Sequence, residues 1–137
     1  MYDSILVPTD GSDGANRAVE HALDLAEHYG ATVHALYVVD TRKYGEPALS
    51  SVDLVIEQLE DRGHELLDEL ADRADNRGIS VEKRVCHGIP HEEIDAYGGT
   101  VNADLVVLGY QGQTHRNKMG SVVERVARMG GRPTLIV

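Results

Sequence analysis

The stretch YDSILVPTDGSDGANRAVEHALDLAEHYGATVHALYVV, residues 2–39, sets two short runs rich in Val, Ile and Leu on either side of a helical segment. Between the runs, Ala18, Ala22 and Ala26 recur at helical spacing. Ser12 can cap the start of this helix and Gly30 can end it. The order strand, helix, strand predicts a right-handed crossover between two parallel strands.

The same alternation continues to the end of the chain. Three further apolar runs predict strands, namely SVEKRV (80–85), ADLVVLG (103–109) and RPTLIV (132–137). A long helix is expected from about Ser51 to Arg77, ended by Gly78, with Gly63 as an interruption that marks a bend. Its inward-facing residues are predicted to be Leu54, Leu59, Leu66, Leu67, Leu70 and Ala74.

Two shorter helices complete the pattern. The third is predicted from about His91 to Tyr97, where it gives way to GGTVNA. The fourth should begin at Ser121, because Ser121 and Glu124 form the S-x-x-E pattern of a capping box, and should stop near Gly130. We therefore expect an α/β fold, a single doubly wound domain over residues 1–137 with a five-stranded, mainly parallel sheet and helices on both faces.

A doubly wound sheet binds its ligand beyond the carboxyl ends of the strands, where the strand order reverses. If the order is 3-2-1-4-5, the reversal lies between the first and fourth strands. The segment PTDGS (8–12) after the first strand would then face GYQG (109–112) after the fourth across a crevice.

Composition excludes several classes of protein. The formal net charge of −10 argues against a nucleic-acid partner, which normally requires basic patches. No apolar run approaches the roughly 18 residues of a membrane span, and the first residues lack the features of a signal peptide, so a cytoplasmic protein without a membrane partner is expected. The single cysteine, Cys86, is expected to be a buried small hydrophobe. An acidic surface with few lysines also resembles proteins of salt-loving organisms.

The loop LGYQGQTHRNKMGSV, residues 108–122, places three glycines around a polar segment just before a predicted helix start. Backbone N–H groups beside a helix N-terminus can bind an anion, and phosphate is the obvious candidate. His115, Arg116 and Lys118 could add positive charge. The alternative is that the glycines only make a tight turn and that the polar residues are solvated.

A metal site and a catalytic centre are not expected. His87, His91, Glu92 and Glu93 are close in sequence, but Pro90 starts a helix there and does not hold two imidazoles on one helical face. The two glutamates instead complement the helix dipole. The sequence contains no G-x-S-x-G elbow, no lysine-containing P-loop and no Cys-x-x-Cys pair, so no nucleophile and base are assigned.

Several motifs together resemble the universal stress protein (UspA-like) family across essentially the whole chain. They are ILVPTDGS (5–12), LYVVD (36–40), HGIPHEEI (87–94), the loop LGYQG…GSV and RPTLIV. The resemblance implies an adenine nucleotide alpha hydrolase-like fold. In nucleotide-binding members the loop reads G-x-x-G, nine residues, then G-S or G-T, whereas here only seven residues, 113–119, separate Gly112 from Gly120.

The resemblance implies a nucleotide site formed by Pro8, Thr9, Asp10, Val39, Leu108, Gly109, Gly112, Gly120, Ser121 and Val122. In that site Asp10 would lie near the ribose and phosphates, above a floor shaped by the two residues before it. Val39 and Leu108 would line the adenine slot. Each also has a structural alternative, since Asp10 can form an Asx-turn and the two apolar residues can be ordinary core.

These observations give three functional hypotheses. The first is a stress protein that binds ATP, or AMP or ADP, as a regulatory ligand, with Mg²⁺ bound through the phosphates. The second is a dimeric interaction module of the same fold without a nucleotide, which the shortened loop favours. The third, ranked last, is slow ATP hydrolysis or autophosphorylation. The family also implies a homodimer paired through the last strand at Leu135, Ile136 and Val137, which would cover an exposed edge.

Overall fold

The computed structural model describes residues 1–43, 50–111 and 119–137. Within these residues, five strands and four α-helices alternate: β1 (Ser4–Pro8), α1 (Asp13–Tyr29), β2 (Thr32–Asp40), α2 (Ser50–Asp75), β3 (Val81–Gly88), α3 (Pro90–Thr100), β4 (Leu105–Leu108), α4 (Ser121–Met129) and β5 (Thr134–Ile136). Every strand pair is parallel, in the order β3-β2-β1-β4-β5, which confirms the predicted fold and strand order.

Helix α1 begins and ends as its sequence predicts. The Ser12 hydroxyl accepts the N–H of Ala15 at 3.2 Å, which satisfies one of the donors left over at the helix start. Gly30 ends the helix in the left-handed region, with φ of 67°. The alanine stripe is buried, so α1 packs closely on the sheet.

The sheet has an apolar core on each face. On one face, Ile5 and Val7 of β1 pack with residues of α1 and α2. On the other, Leu6 packs with Ile94 of α3 and Val123 of α4. All three β1 residues are fully buried, as expected for a central parallel strand covered on both faces.

Helix α2 departs from the sequence prediction at two positions. It runs through Gly63 without interruption, because the absence of a side chain there lets the Tyr37 ring pack against the helix: a Cβ atom would lie 2.5 Å from Tyr37 Cδ1. Leu54, predicted to face inward, is 61% exposed, because it lies in the first turns of the helix, whereas Leu67 and Leu70 further along are buried.

The end of α3 and the capping of α4 also differ from the prediction. Helix α3 continues to Thr100, and Gly98 lies within it. A Cβ atom at Gly98 would lie 2.9 Å from Arg132 Nε, so the absence of a side chain there leaves room for the arginine. Helix α4 has Gly120 and not Ser121 as its N-cap, so the predicted capping box is wrong. The Glu124 N–H donates to the backbone oxygen of Gly120 at 3.1 Å and does not bond to a serine hydroxyl.

Strand β3 is an edge strand whose central residues are exposed. The thiol of Cys86 is half-buried, not buried as expected, and the burial raises its pKa. A thiol of this kind is a poor nucleophile at neutral pH. Among the described residues, the longest helices are too polar to cross a bilayer.

Candidate functional site

A cleft of about 350 Å³ lies at the carboxyl ends of β2, β1 and β4. Strands β2 and β4 pair on opposite sides of β1, so the cleft spans the point where the strand order reverses. Its walls come from the segments that follow these strands, from α3 and from the start of α4. Its volume is within the range of small-molecule sites.

Nine of the ten residues predicted for the site line this cleft: Pro8, Thr9, Asp10, Val39, Leu108, Gly109, Gly120, Ser121 and Val122. The tenth, Gly112, lies outside the described residues, as do His115, Arg116 and Lys118. The nine converge because parallel strands bring their carboxyl ends to one edge of the sheet.

The floor of the cleft is a rigid turn after β1. The Thr9 N–H donates to the backbone oxygen of Leu36 at 2.9 Å, which ties this turn to β2. Asp10 Oδ1 accepts the N–H of Ser12 at 2.9 Å, so the expected Asx-turn is present. Gly11 has φ of 80°, a conformation that favours glycine. The Asp10 carboxylate is therefore fixed in place at the cleft.

The segment after β4 lies directly on the first turn of α1. A Cβ atom at Gly109 would lie 2.5 Å from the backbone oxygen of Gly14 and 2.9 Å from the nitrogen of Ala15. A Cβ atom at Gly14 would in turn overlap the backbone oxygen of Gln111. Two glycines facing each other thus let two backbones approach more closely than side chains would allow.

The first turn of α4 forms the opposite wall. Gly120 is extended, with φ of −67° and ψ of 151°, and among the described residues no side chain caps the helix. Its own N–H donates to the backbone oxygen of Tyr110 at 2.8 Å, which fixes the helix start. The N–H groups of Ser121 and Val122 have no acceptor within the helix, so this end is electropositive and suited to an anion.

The other end of the cleft, at β2, has side chains that the sequence analysis did not assign. Arg42 forms a bidentate, hydrogen-bonded ion pair with Asp40. The hydrogen bonding to Asp40 raises the pKa of Arg42. Pro90 and Ile94 of α3 also line the cleft. Asp40 is the last residue of the motif LYVVD. The residues around it in sequence do not indicate that α3, which begins 50 residues later, would line the same cleft.

The residues considered for a metal site have other contacts. His87 Nε2 lies 2.8 Å from Glu60 Oε1 of α2, while Glu92 and Glu93 lie in the first turn of α3. Within residues 1–43, 50–111 and 119–137, no three histidine, cysteine or acidic side chains are grouped as metal ligands.

In a comparison with known proteins, a family model described as Universal stress protein family matches residues 1–137 of this chain. The chain is 37% identical to Universal stress protein MJ0531 of Methanocaldococcus jannaschii over 100% of its own length and 82% of that protein. Among solved structures, universal stress protein UspA from Lactobacillus plantarum superposes with a TM-score of 0.92 at 28% identity, covering 99% of this chain and 97% of that one. A universal stress protein solved in complex with cAMP gives a TM-score of 0.77 at 28% identity, with 99% and 97% coverage.

Proposed function

Because this chain belongs to the universal stress protein family, we propose that it binds ATP or a related adenine nucleotide in the cleft as a regulatory ligand of a cytoplasmic stress response. The observation that carries the proposal is the start of α4, whose backbone donors line a small-molecule cleft at the reversal of strand order. A relative solved in complex with cAMP supports the adenine nucleotide class.

In this proposal the nucleotide lies across the ends of three strands. The phosphates take the N–H groups of Ser121 and Val122, and the adenine lies between Val39 and Leu108. Asp10, fixed by its turn, is close to the ribose and phosphates. The roles that the resemblance implied for these residues are thus mutually compatible in one cleft.

Mg²⁺ accompanies the phosphates for an electrostatic reason. The charged side chains among the described residues of the cleft wall are Asp10, Asp40 and Arg42, which together carry one net negative charge. A polyphosphate is repelled by such a wall, and a divalent cation bound to the phosphates reduces the repulsion. We expect ATP to bind more tightly with Mg²⁺ than with a chelator.

The test is to identify the small molecules extracted from the purified protein and to titrate ATP by calorimetry. Gly120→Val should weaken binding about tenfold or more, because a side chain at the helix start shields the charged phosphates from backbone donors. Gly131→Ala, at the far end of α4, serves as the control and should bind like the wild type. An extract without adenine nucleotide, together with no binding at millimolar ATP, would overturn the proposal.

The second candidate, an interaction module without nucleotide, is favoured by the seven-residue spacing between Gly112 and Gly120. A shorter loop has less reach around a triphosphate. The negative binding result above, with a stable folded protein, would support this candidate. Phosphate release faster than in Gly120→Val would instead support slow hydrolysis.

We also propose a homodimer paired through β5. This strand lies at the sheet edge, and its inner side is already used: the Val137 N–H donates to the backbone oxygen of Leu108 at 2.9 Å. The outer side of Leu135, Ile136 and Val137 remains for antiparallel pairing about a two-fold axis. Sedimentation at micromolar concentration should give a dimer mass, and a monomer mass would contradict this proposal.

A further inference from the structure

The β2 end of the cleft contains a side-chain pair that the proposed function does not use. Arg42 Nε donates to Asp40 Oδ1 at 3.0 Å, and Arg42 Nη2 donates to Asp40 Oδ2 at 2.9 Å. The backbone N–H of Arg42 also donates to Oδ1, at 3.1 Å. Both side chains line the cleft. The Arg42 guanidinium is therefore held at the cleft wall, and its side-chain hydrogen bonds among residues 1–43, 50–111 and 119–137 use the edge formed by Nε and Nη2.

This pairing makes Arg42 a poor phosphate ligand. Its positive charge is offset by a carboxylate at hydrogen-bond distance, and Glu92 of α3 adds a second, more distant negative charge. Within the part of the chain that the structure describes, the two flat faces and Nη1 of the guanidinium remain for a ligand. A flat, weakly hydrated cation with free faces is suited to stacking on an aromatic ring.

Arg42 also lies at the end of the cleft where the base is expected. Strand β1 separates β2 from β4, so the ends of β2 and β4 are about 10 Å apart at the usual strand spacing. If the phosphates bind at the start of α4, beyond β4, the base extends toward β2. There Val38, Val39 and Ile94 are apolar residues that line the cleft.

We propose that Arg42 stacks on the adenine ring of the bound nucleotide and that Asp40 is a positioning residue which holds the guanidinium in the stacking orientation. This inference rests on the proposed function, since it needs a nucleotide in the cleft. It assigns Arg42 to the base, so its contribution is independent of the number of phosphates.

The test compares Arg42→Ala with the wild type by calorimetric titration of adenosine, AMP, ADP and ATP. Affinity should fall by the same factor for all four ligands, about two- to fivefold, the range expected for a partly exposed cation stacked on a ring. A loss that grows with each phosphate, or unchanged affinity for all four ligands, would overturn the inference while leaving the proposed function intact. A wild-type protein that binds none of the four ligands would refute both proposals.

Two further variants separate stacking from charge and from structure. Arg42→Lys keeps the charge but loses the flat group, so it should bind adenosine less tightly than the wild type, and full affinity would contradict stacking. Asp40→Asn should weaken adenosine binding more in the wild-type background than in Arg42→Ala, because the proposed effect of Asp40 on the base passes through the Arg42 guanidinium. If Asp40→Asn lowered adenosine affinity equally in both backgrounds, Asp40 would not be a positioning residue for Arg42. Arg128→Ala, at an exposed arginine of α4, is the control.

Discussion

One end of the cleft is formed mainly by backbone atoms and the other mainly by side chains. The glycine end, formed by Gly109, Gly120 and Ser121, consists of backbone brought close to other backbone. The β2 end, formed by Val39, Asp40 and Arg42, consists of side chains held by an ion pair and by apolar contacts. Backbone can shift only with its whole element, whereas a side chain can move by itself. We therefore expect substitutions to be more damaging at the glycine end.

The largest effect is expected for Gly109→Ala. The added Cβ would meet the backbone of Gly14 and Ala15, so β4 and α1 must separate. We expect a loss of about 3 kcal/mol in the free energy of unfolding, measured by urea denaturation, and loss of nucleotide binding. Gly131→Ala is the control. The heavy atom nearest to its added Cβ would be Asp95 Oδ1, at 3.5 Å, so the free energy of unfolding should change by no more than about 0.5 kcal/mol. If Gly109→Ala were as stable as the wild type, the close contact of Gly109 with the first turn of α1 would not be rigid.

A smaller effect is expected for Gly63→Ala, behind the β2 end. The added Cβ would lie 2.5 Å from Tyr37 Cδ1 and 2.8 Å from Cγ, but the ring can tilt away. We expect a loss of about 1–2 kcal/mol by the same denaturation assay. Because Tyr37 also lines the cleft, adenosine affinity should fall as well. The exposed Glu57 of α2 gives a control, Glu57→Ala, and an equal effect of the two variants would exclude the Tyr37 contact as the cause.

Two serines at helix starts should differ although both helices have an acidic residue in the first turn. Ser12 caps α1 through its hydroxyl, and Ser12→Ala should lower the unfolding free energy by about 1 kcal/mol. Ser121 lies inside the first turn of α4, and Ser121→Ala should change it by less than about 0.5 kcal/mol. ATP affinity should also persist in Ser121→Ala if the phosphates take backbone donors. If Ser121→Ala lowered the unfolding free energy more than Ser12→Ala, Ser121 would act as a helix cap and the predicted capping box would be supported.

The smallest effect at neutral pH is expected from His34, which lies under α3. Burial lowers its pKa below 6.5, and the carboxylate of Glu82, 3.5 Å from Nδ1, only partly opposes this. The Tyr97 ring, 6.2 Å away, covers it from α3. Below pH 6.5 the unfolded chain binds a proton that the folded chain resists, so stability falls as pH falls.

His34→Gln should therefore flatten the pH dependence of the denaturation midpoint between about pH 7 and about pH 5. At pH 8 the histidine is neutral in both states, and the protonation contribution should vanish. An unchanged slope in the variant would show that other groups cause the acid sensitivity.

The fold could be predicted because its signals are local. The five apolar runs and the helical spacing of alanines depend on residues close together in sequence, and the structure confirms the alternation of strands and helices that they predicted. Errors arose where a distant residue decided the outcome. Arg132, more than 30 residues beyond Gly98, packs beside that glycine, and α3 continues to Thr100. Tyr37 of β2 similarly explains why Gly63 lies inside a continuous helix.

The site divides in the same way. Glycine spacing and a helix start indicated the glycine end before any coordinates, because backbone donors need only a suitable loop. The β2 end was found only in part: Val39 was assigned, but Arg42, Pro90 and Ile94 were not. Pro90 and Ile94 belong to the motif HGIPHEEI, but nothing in that motif indicates that α3 lines the same cleft as the end of β2.

The sequence by itself determined that strands and helices alternate, that the strands are parallel and that a glycine-rich segment precedes a helix. Periodicity, helix ends and turns are set by neighbouring residues, so they can be read along the chain. Only the tertiary structure decided where α3 ends, which residue caps α4 and which side chains line the β2 end of the cleft. Those features depend on packing between residues far apart in sequence, which becomes defined only when the sheet is assembled.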